Sequence, residues 1–245
     1  MNSNDEHKIR LDLALVEREI SKTRSQALDL IKRAQIRVNG EITTKQSLKV
    51  SDKDMIELLS DQIYVGRGAL KLEKAIRAFE LDIERRVCLD VGASTGGFTQ
   101  VLLRHGAEKV YAVDIGRDQL AGELKKDPRV LNLEQTNILD LKPIDPGISL
   151  VVIDVSFVSI HHIFPYLFKN LNNEEYIVLF KPQFEVGVDL VGKKGIVSEL
   201  NAKNALNHFI DEMKELFYKV DWVPSPIKGK KGNSEFLVSL KEPKK

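Results

Sequence analysis

Residues 89–98 read Leu-Asp-Val-Gly-Ala-Ser-Thr-Gly-Gly-Phe, and this stretch decides the fold. An apolar run over residues 87–89 predicts a strand that ends at Asp90, and a helical pattern begins near Phe98. The small residues between them let backbone amides approach a ligand where a Cβ would clash. Roughly 20 residues further along, a second strand ends at Asp114, a carboxylate that can accept hydrogen bonds from ribose hydroxyls. This layout predicts a nucleoside-binding α/β fold.

The spacing of the loop narrows the choice of nucleoside. Gly92-x-x-x-Gly96-Gly97 differs from the G-x-G-x-x-G that places a pyrophosphate on a helix N-terminus, and no G-K-[ST] follows for a triphosphate. A loop without phosphate-binding chemistry, opened by Asp90, suits a cofactor with a cationic far end. S-adenosylmethionine has such an end in its sulfonium and α-amino groups, so we predict a methyltransferase. The alternative is a tight strand-to-helix turn of another α/β fold.

The predicted cofactor contacts follow the ends of the first two strands. We expect Asp90 near the amino-acid moiety and Asp114 at the ribose. The loop residues expected beside the cofactor are Gly92, Ala93, Ser94, Thr95, Gly96, Gly97 and Phe98.

Composition limits the class of protein. The 245 residues are 42% hydrophobic, which supports a packed core, and the 37 basic and 36 acidic residues leave a net charge of +1. A polyanionic partner must therefore meet a local basic patch. A single cysteine excludes a disulfide framework and suits a reducing compartment. The N-terminus lacks an apolar signal segment, and no apolar stretch reaches the ~20 residues of a membrane span. We predict a soluble, cytoplasmic protein.

Two domains are predicted, over residues 1–60 and 66–245, with a linker over 61–65. The first combines helical periodicity with a hairpin at Asn39-Gly40, because Asn-Gly favours a two-residue turn. Six basic residues against two acidic ones lie between Arg18 and Arg37, which indicates an RNA-binding surface. The basic residues are Arg18, Lys22, Arg24, Lys32, Arg33 and Arg37. An ordinary solvated helix face is the alternative.

The second domain alternates helices and strands, which predicts a mainly parallel sheet with helices on both faces. The predicted helices are 68–80, 97–105, 118–125, 158–171 and 199–217. The predicted strands are 86–90, 109–114, 149–154, 175–180, 219–223 and 234–240.

Four charged residues are candidates for catalysis. Asp154 and Lys181 each follow an apolar strand, and ligands of open α/β sheets bind beyond the carboxyl ends of the strands. Burial of Lys181 beside another cation would favour the neutral amine that a general base requires. Lys71 and Glu235 precede the first strand and open the last one. Each of the four also has a structural alternative, such as a lysine whose ammonium group reaches the surface.

The motifs that the sequence lacks limit which atom can accept the methyl group. Residues 154–157 read Asp-Val-Ser-Phe and lack the proline pair that is typical of exocyclic-amine methyltransferases. Carbon-5 methylation needs a cysteine nucleophile, and Cys88 lies inside a predicted strand. Lysines and carboxylates suit the deprotonation of a hydroxyl, for which a ribose 2′-hydroxyl of RNA is the obvious candidate.

The chain resembles the TlyA group, often labelled hemolysin A, among the FtsJ/RrmJ-like RNA 2′-O-methyltransferases. Its N-terminal part resembles the S-four type RNA-binding domain. The matching blocks run nearly end to end: Arg10-Leu-Asp, Arg24-Ser-Gln-Ala, Val38-Asn-Gly, Arg67-Gly-Ala-Leu-Lys-Leu, Asp90-Val-Gly-Ala-Ser-Thr-Gly-Gly-Phe-Thr, Asp154-Val-Ser-Phe, Lys181-Pro-Gln-Phe-Glu and Gly232-Asn-Ser-Glu-Phe. The resemblance implies a Rossmann-like class I methyltransferase sheet with a small N-terminal α+β RNA-binding domain.

The resemblance also implies site residues and a substrate. The Lys-Asp-Lys-Glu tetrad of the family falls on Lys71, Asp154, Lys181 and Glu235, with no metal ion. By this analogy Lys181 is the base, Asp154 holds Lys181 and the cofactor, and Lys71 and Glu235 position the ribose. The substrate implied is a cytidine in ribosomal RNA or a ribosomal subunit, with a lean toward the large subunit. Ile115, Asn137 and Ile138 fall at further cofactor contacts, although the residues around them depart from the usual pattern. The N-terminal blocks add Arg10, Ser25 and Asn39 to the expected RNA contacts.

Two alternative functions stay open at this stage. One is an RNA-binding ribosome-assembly factor with an inactive methyltransferase domain. The other, suggested by the family label, is a membrane-active hemolysin, which needs an apolar span, a lytic amphipathic helix or a secretion signal.

Overall fold

The computed structural model describes residues 8–21, 23–59, 64–141, 147–171 and 175–244. The chain divides into two compact units, Met1–Arg67 and Gly68–Lys245. Most of the predicted linker 61–65 lies outside the described residues, as does Lys22. The predicted domain boundaries at residues 60 and 66 therefore stay predictions.

The N-terminal unit combines two helices with short strands. Its elements are β1 (Ile9–Arg10), α1 (Leu11–Glu17), α2 (Arg24–Lys32), β2 (Ile36–Val38), β3 (Glu41–Thr43), β4 (Lys49–Val50) and β5 (Ile56–Leu58). The Thr23 hydroxyl caps α2 by accepting from the Gln26 amide at 3.2 Å. Asn39 and Gly40 have φ angles of +49° and +84°, as a primed hairpin turn requires. The predicted hairpin is confirmed, because β2 pairs antiparallel with β3.

The C-terminal unit contains a seven-stranded sheet. Its strands are β6 (Val87–Val91), β7 (Lys109–Val113), β8 (Val130–Leu133), β9 (Ile148–Ile153), β10 (Glu175–Phe180), β11 (Phe217–Pro224) and β12 (Phe236–Pro243). Its helices are α3 (Gly68–Phe79), α4 (Gly97–Arg104), α5 (Gly122–Lys125), α6 (Ile160–Asn170), α7 (Pro182–Glu185) and α8 (Glu199–Leu216).

The sheet is mostly parallel, as predicted. The strand order is β11-β12-β10-β9-β6-β7-β8, in which β10, β9, β6, β7 and β8 are parallel and β12 is antiparallel to its two neighbours. Strand residues that face one side, such as Val151 and Val178, form a core with α6 and α8. Their neighbours Val152 and Ile177 face the other side and are also buried. Both faces are therefore covered, which confirms the predicted layering.

The largest differences from the predicted elements lie between residues 115 and 134. The predicted helix 118–125 shortens to α5, and β8 was not predicted at all. The Glu134 carboxylate accepts hydrogen bonds from the amides of Asp118, Gln119 and Leu120 at 2.8–2.9 Å, which holds that segment in a non-helical turn. These bonds, with that from Leu120 the strongest, lower the pKa of Glu134 to about 2. In the described parts of the chain, no helix combines the length and apolar character needed to cross a bilayer.

Candidate active site

Gly92 and Gly96 let the loop after β6 lie against the neighbouring chain. Both have positive φ angles, +85° and +91°. A Cβ at Gly92 would lie 2.6 Å from the carbonyl oxygen of Asp154, closer than a Cβ atom approaches a backbone atom. The Gly92 amide donates to the Val113 carbonyl at 2.8 Å, and the Asp154 amide donates to the Val91 carbonyl at 2.9 Å. The ends of three strands therefore meet at this loop, and a side chain at Gly92 would separate them.

Asp90 is fully buried at the end of β6. Its Oδ2 accepts hydrogen bonds from the amide and the hydroxyl of Thr99, at 2.9 and 2.7 Å, which ties the strand end to the first turn of α4. Burial raises the pKa of the Asp90 carboxyl to about 7. Its Oδ1 has no hydrogen-bond partner among the described residues. This oxygen can therefore accept a hydrogen bond from a cationic group of a ligand, or from a water that bridges to such a group.

Asp114 orders the same loop from the end of β7. Its Oδ2 accepts from the Ser94 amide at 2.7 Å, and its Oδ1 accepts from the Gly116 amide at 2.6 Å. The carboxylate is half-buried, and each oxygen keeps a second lone pair for a ligand hydroxyl. Asp114 therefore both fixes the loop and keeps the acceptor capacity expected of a ribose contact.

The other predicted cofactor residues differ in exposure. Ala93, Gly97 and Phe98 are buried, Gly92 is half-buried, and Ser94 and Thr95 are exposed. Ile115 is 77% exposed, so its side chain is open to a ligand. The Asn137 side chain accepts from the Leu139 amide at 3.1 Å, and Ile138 is buried.

Lys181 and Asp154 form a close ion pair beyond the ends of β10 and β9. The Lys181 Nζ lies 2.5 Å from Asp154 Oδ1, and only 7% of its side chain is exposed. The same Nζ donates to the Val155 carbonyl at 2.8 Å and to Ser156 Oγ at 2.9 Å. A carboxylate oxygen, a carbonyl oxygen and a hydroxyl oxygen therefore hold the Lys181 Nζ in place. The charged partner of the Lys181 Nζ is thus the Asp154 carboxylate.

Lys71 and Glu235 form a second buried pair. The Lys71 Nζ on α3 donates to Glu235 Oε2 at 2.7 Å, with 10% and 4% of the two side chains exposed. The Gln183 amide, two residues after Lys181, donates to Glu235 Oε1 at 3.4 Å. One turn before Lys71, a Cβ at Gly68 would lie 3.6 Å from Asp154 Oδ2. All four residues of the predicted tetrad are therefore brought to one edge of the sheet.

Phe157 is a feature of this edge that the sequence reasoning did not select. Its side chain is 91% exposed, and its φ of +66° is unusual for a bulky residue. Its ring lies 5.4 Å from that of Phe184, and Phe184 lies 5.9 Å from the Lys181 Nζ. An exposed aromatic in a strained backbone conformation, in contact with Phe184 beside Lys181, is a candidate ligand contact. An aromatic directly after the Asp154 strand end was the available signal.

Cys88 is unsuited to nucleophilic catalysis. It lies inside β6 with no exposed surface, and burial raises the pKa of its thiol to about 12. This agrees with the argument against carbon-5 methylation. No cluster of three or more possible metal ligands occurs within the described ranges.

The predicted RNA-binding arginines make many contacts within their own unit. Arg10 and Arg24 both pair with the buried Asp12 at 2.8 Å, and the Arg10 hydrogen bond is the main reason that the pKa of Asp12 is lowered to about 2. Arg18 donates to the carbonyls of Ser51 and Asp54 at 2.7 Å.

Of the remaining residues predicted to contact RNA, some bind carboxylates or backbone groups of their own unit and others are exposed. Arg33 pairs with Asp29 at 2.9 Å, and Arg37 lies 3.6 Å from Glu57. Asn39 donates to Asp54 Oδ1 at 2.6 Å and accepts from the Met55 amide at 2.8 Å. Ser25 and Lys32 are exposed. The positive charge of this unit is thus partly balanced by its own carboxylates.

Two known families match most of the chain. The family model for FtsJ-like methyltransferases matches residues 64–242, and the model for the S4 domain matches residues 9–56. The chain belongs to the FtsJ-like methyltransferase family. The fold class and the family resemblance inferred from sequence are therefore confirmed.

Several relatives match over most of their length. A protein of Brachyspira hyodysenteriae named hemolysin A is 43% identical over 94% of this chain and 98% of its own. The 16S/23S rRNA (cytidine-2′-O)-methyltransferase TlyA of Mycobacterium tuberculosis is 40% identical over 95% of this chain and 89% of its own. A solved structure of a Streptococcus thermophilus protein that carries a hemolysin name has a TM-score of 0.69. It is 38% identical and covers 97% of this chain and 89% of its own.

Proposed function

We propose that this protein methylates the 2′-hydroxyl of a cytidine in ribosomal RNA, with S-adenosylmethionine as the methyl donor. The observation that carries the proposal is the buried Lys181–Asp154 pair, which lies where ligands of parallel sheets bind. The methyltransferase family and the relative that acts on cytidine 2′-oxygens support it. Because ribosomal RNA is the substrate, the protein acts in the cytoplasm on RNA or ribosomal subunits.

The loop after β6 holds the cofactor. Asp114 accepts hydrogen bonds from the ribose hydroxyls, and the unpartnered Oδ1 of Asp90 receives the positive amino-acid end through an intervening donor. Gly92 keeps the loop close to the carbonyl of Asp154, so the loop would hold the methyl donor at the same edge of the sheet as the Lys181–Asp154 pair. Bound here, S-adenosylmethionine supplies a methyl group on a sulfonium, which is open to attack by an oxygen nucleophile.

Lys181 takes the proton of the 2′-hydroxyl. A neutral amine has two N–H donors and one lone pair, whereas the ammonium has three donors. Asp154 Oδ1 and the Val155 carbonyl can only accept, so they keep the two N–H groups. The lone pair of the neutral Lys181 amine then points toward Ser156. While no substrate is bound, the Ser156 hydroxyl can rotate and donate a hydrogen bond to this lone pair. When a ribose 2′-hydroxyl takes the place of the Ser156 hydroxyl, it donates its hydrogen bond to the Lys181 amine, which then accepts the proton.

Lys71, Glu235 and Phe157 position the nucleotide. Lys71 and Glu235 neutralise each other's charge. The pair therefore offers a fixed hydrogen-bond donor and acceptor to the ribose hydroxyls and adds no net charge to the site. Phe157 presents a nearly fully exposed ring, and unpaired bases of RNA stack on such rings. The N-terminal unit supplies RNA affinity through its S4 domain.

A methylation assay tests the reaction. Ribosomal subunits from a strain that lacks the gene are incubated with purified protein and labelled S-adenosylmethionine, and the modified nucleotide is mapped. We expect label on the 2′-oxygen of a cytidine. Absence of transfer at saturating cofactor and under single-turnover conditions would instead favour an RNA-binding assembly factor.

Deletion of residues 1–60 tests the division of labour between the units. We expect the truncated protein to keep its cofactor affinity, measured by calorimetry, and to lose RNA affinity and part of its salt dependence. Parental methylation rates from the truncated protein would contradict this assignment.

A further inference from the structure

Two loops of the C-terminal unit carry an uncompensated positive charge. Residues 192–197 read Gly-Lys-Lys-Gly-Ile-Val, and residues 228–233 read Lys-Gly-Lys-Lys-Gly-Asn. These two segments, called the lysine loops below, contain five lysines and no carboxylate. Their lysines are Lys193, Lys194, Lys228, Lys230 and Lys231. All five are exposed, and none forms an ion pair among the described residues.

One buried side chain fixes the two lysine loops together. Asn233 is 3% exposed, and its amide nitrogen donates to the Gly195 carbonyl at 2.8 Å. Its side-chain oxygen accepts from the Val197 amide at 2.9 Å. A Cβ at Gly195 would lie 3.0 Å from the Lys231 Nζ, so the second loop lies directly against the first. The lysines are therefore concentrated on one surface, although like charges repel each other.

The lysine loops lead directly into the candidate active site. Glu235, which pairs with Lys71, follows Asn233 by two residues. A cleft of about 310 Å³ is lined by Lys228, Ser225 and Glu235, together with Lys203 and Glu199 of α8. The positive surface thus continues from the loops to the rim of a cleft that reaches a residue of the tetrad.

We infer that the lysine loops bind phosphate groups of the RNA strand that carries the target ribose. Such a strand has a phosphate on each side of every ribose, so an enzyme that holds one ribose at the tetrad needs cations beside it. Exposed lysines without carboxylate partners supply them, and Asn233 keeps them in register with Glu235. This inference rests on the proposed function and adds a substrate-binding surface to it.

RNA binding across a range of salt concentrations tests the inference. The loop variant Lys193→Gln/Lys230→Gln/Lys231→Gln keeps Lys228 at the cleft, while the control variant Lys74→Gln/Lys126→Gln/Lys169→Gln removes the same charge from exposed sites elsewhere in the unit. Affinity for ribosomal subunits from a strain that lacks the gene is measured at several salt concentrations. Each phosphate contact contributes roughly 0.7–0.9 to the slope of log affinity against log salt.

We expect the loop variant to lose roughly 2–3 units of that slope, and therefore roughly 100-fold in affinity at 0.1 M salt, while the control variant changes little. Equal slopes and affinities for the two variants would overturn the inference. Loss of binding to vesicles that contain phosphatidylglycerol, with RNA affinity unchanged, would also overturn it in favour of a membrane surface.

Failure of the proposed function has a different signature. In that case the parental protein transfers no methyl group, whatever its RNA affinity, whereas failure of the lysine-loop inference leaves parental methylation intact. The two results are therefore distinguishable from one set of proteins.

Discussion

Exchange of Lys181 for arginine separates the charge of this residue from its ability to take up a proton. Arginine still provides a cation for Asp154, which lies 2.5 Å from the Lys181 Nζ, so no carboxylate is left buried without a partner. Loss of such a partner would cost about 3–5 kcal/mol of stability and confuse the result. The guanidinium stays protonated across the accessible pH range, so it cannot act as a base.

The expected loss follows from the three contacts of the Lys181 Nζ. Since these contacts fix the amine in one position, its catalysis should lie in the usual range for a placed base, about 10²–10⁴-fold. This corresponds to about 2.7–5.5 kcal/mol in the activation free energy. Single-turnover methylation, followed with labelled cofactor, should show this loss in Lys181→Arg.

Lys71→Arg is the matched control, because Lys71 is equally buried and also paired with a carboxylate. We expect it to keep measurable activity, since a positioning cation does not need to release a proton. Cofactor affinity and thermal unfolding should stay near parental values in both variants. Near-parental turnover by Lys181→Arg, together with an inactive Lys71→Arg, would refute the reasoning and exchange the two roles.

Three further predictions concern single side chains. Ser156→Ala removes a contact of the Lys181 Nζ that the substrate hydroxyl is proposed to replace, so its single-turnover methylation rate should fall far less than that of Lys181→Arg; an equally large loss would contradict the proposal that the substrate takes the place of Ser156. Asp114→Ala should weaken S-adenosylmethionine binding roughly 10- to 150-fold in calorimetry, because a charged acceptor is worth about 1.5–3 kcal/mol; unchanged affinity would remove Asp114 from the cofactor site. Asp90 has a folded-state pKa of about 7, above its unfolded value of ~3.9, so the parental protein should lose stability as pH rises through that window. Urea unfolding of Asp90→Asn should lack this loss, and identical pH dependence in the two proteins would contradict the buried carboxyl.

Local patterns were sufficient to predict most of the C-terminal unit. The alternation of helix and strand, the loop at residues 92–97 and the strand ends at Asp154 and Lys181 are properties of short segments, and the observed elements agree within a few residues. The region around β8 was not predicted, because the Glu134 carboxylate holds a turn 14 or more residues away. Hydrogen bonds across such a distance leave no periodic signal in the sequence.

The predicted RNA surface shows a similar limit. Counting charges between Arg18 and Arg37 treats every cation as open to a partner. In the folded unit, Arg24 lies against the buried Asp12, and Arg18 donates to two backbone carbonyls. Only the three-dimensional arrangement distinguishes these residues from lysines that form no ion pair among the described residues, such as those of the lysine loops.

The sequence by itself determined the family, the order of the elements and the residue types at the active site, because these depend on short motifs and on hydrophobic periodicity. The tertiary structure alone decided how the charges are paired. Lys71 and Glu235 are 164 residues apart, yet they meet because α3 and the last strand pack at the same edge of the sheet. It also decided that Asp90 is buried while Phe157 is exposed. Burial and ion pairing depend on long-range packing, which no local pattern specifies.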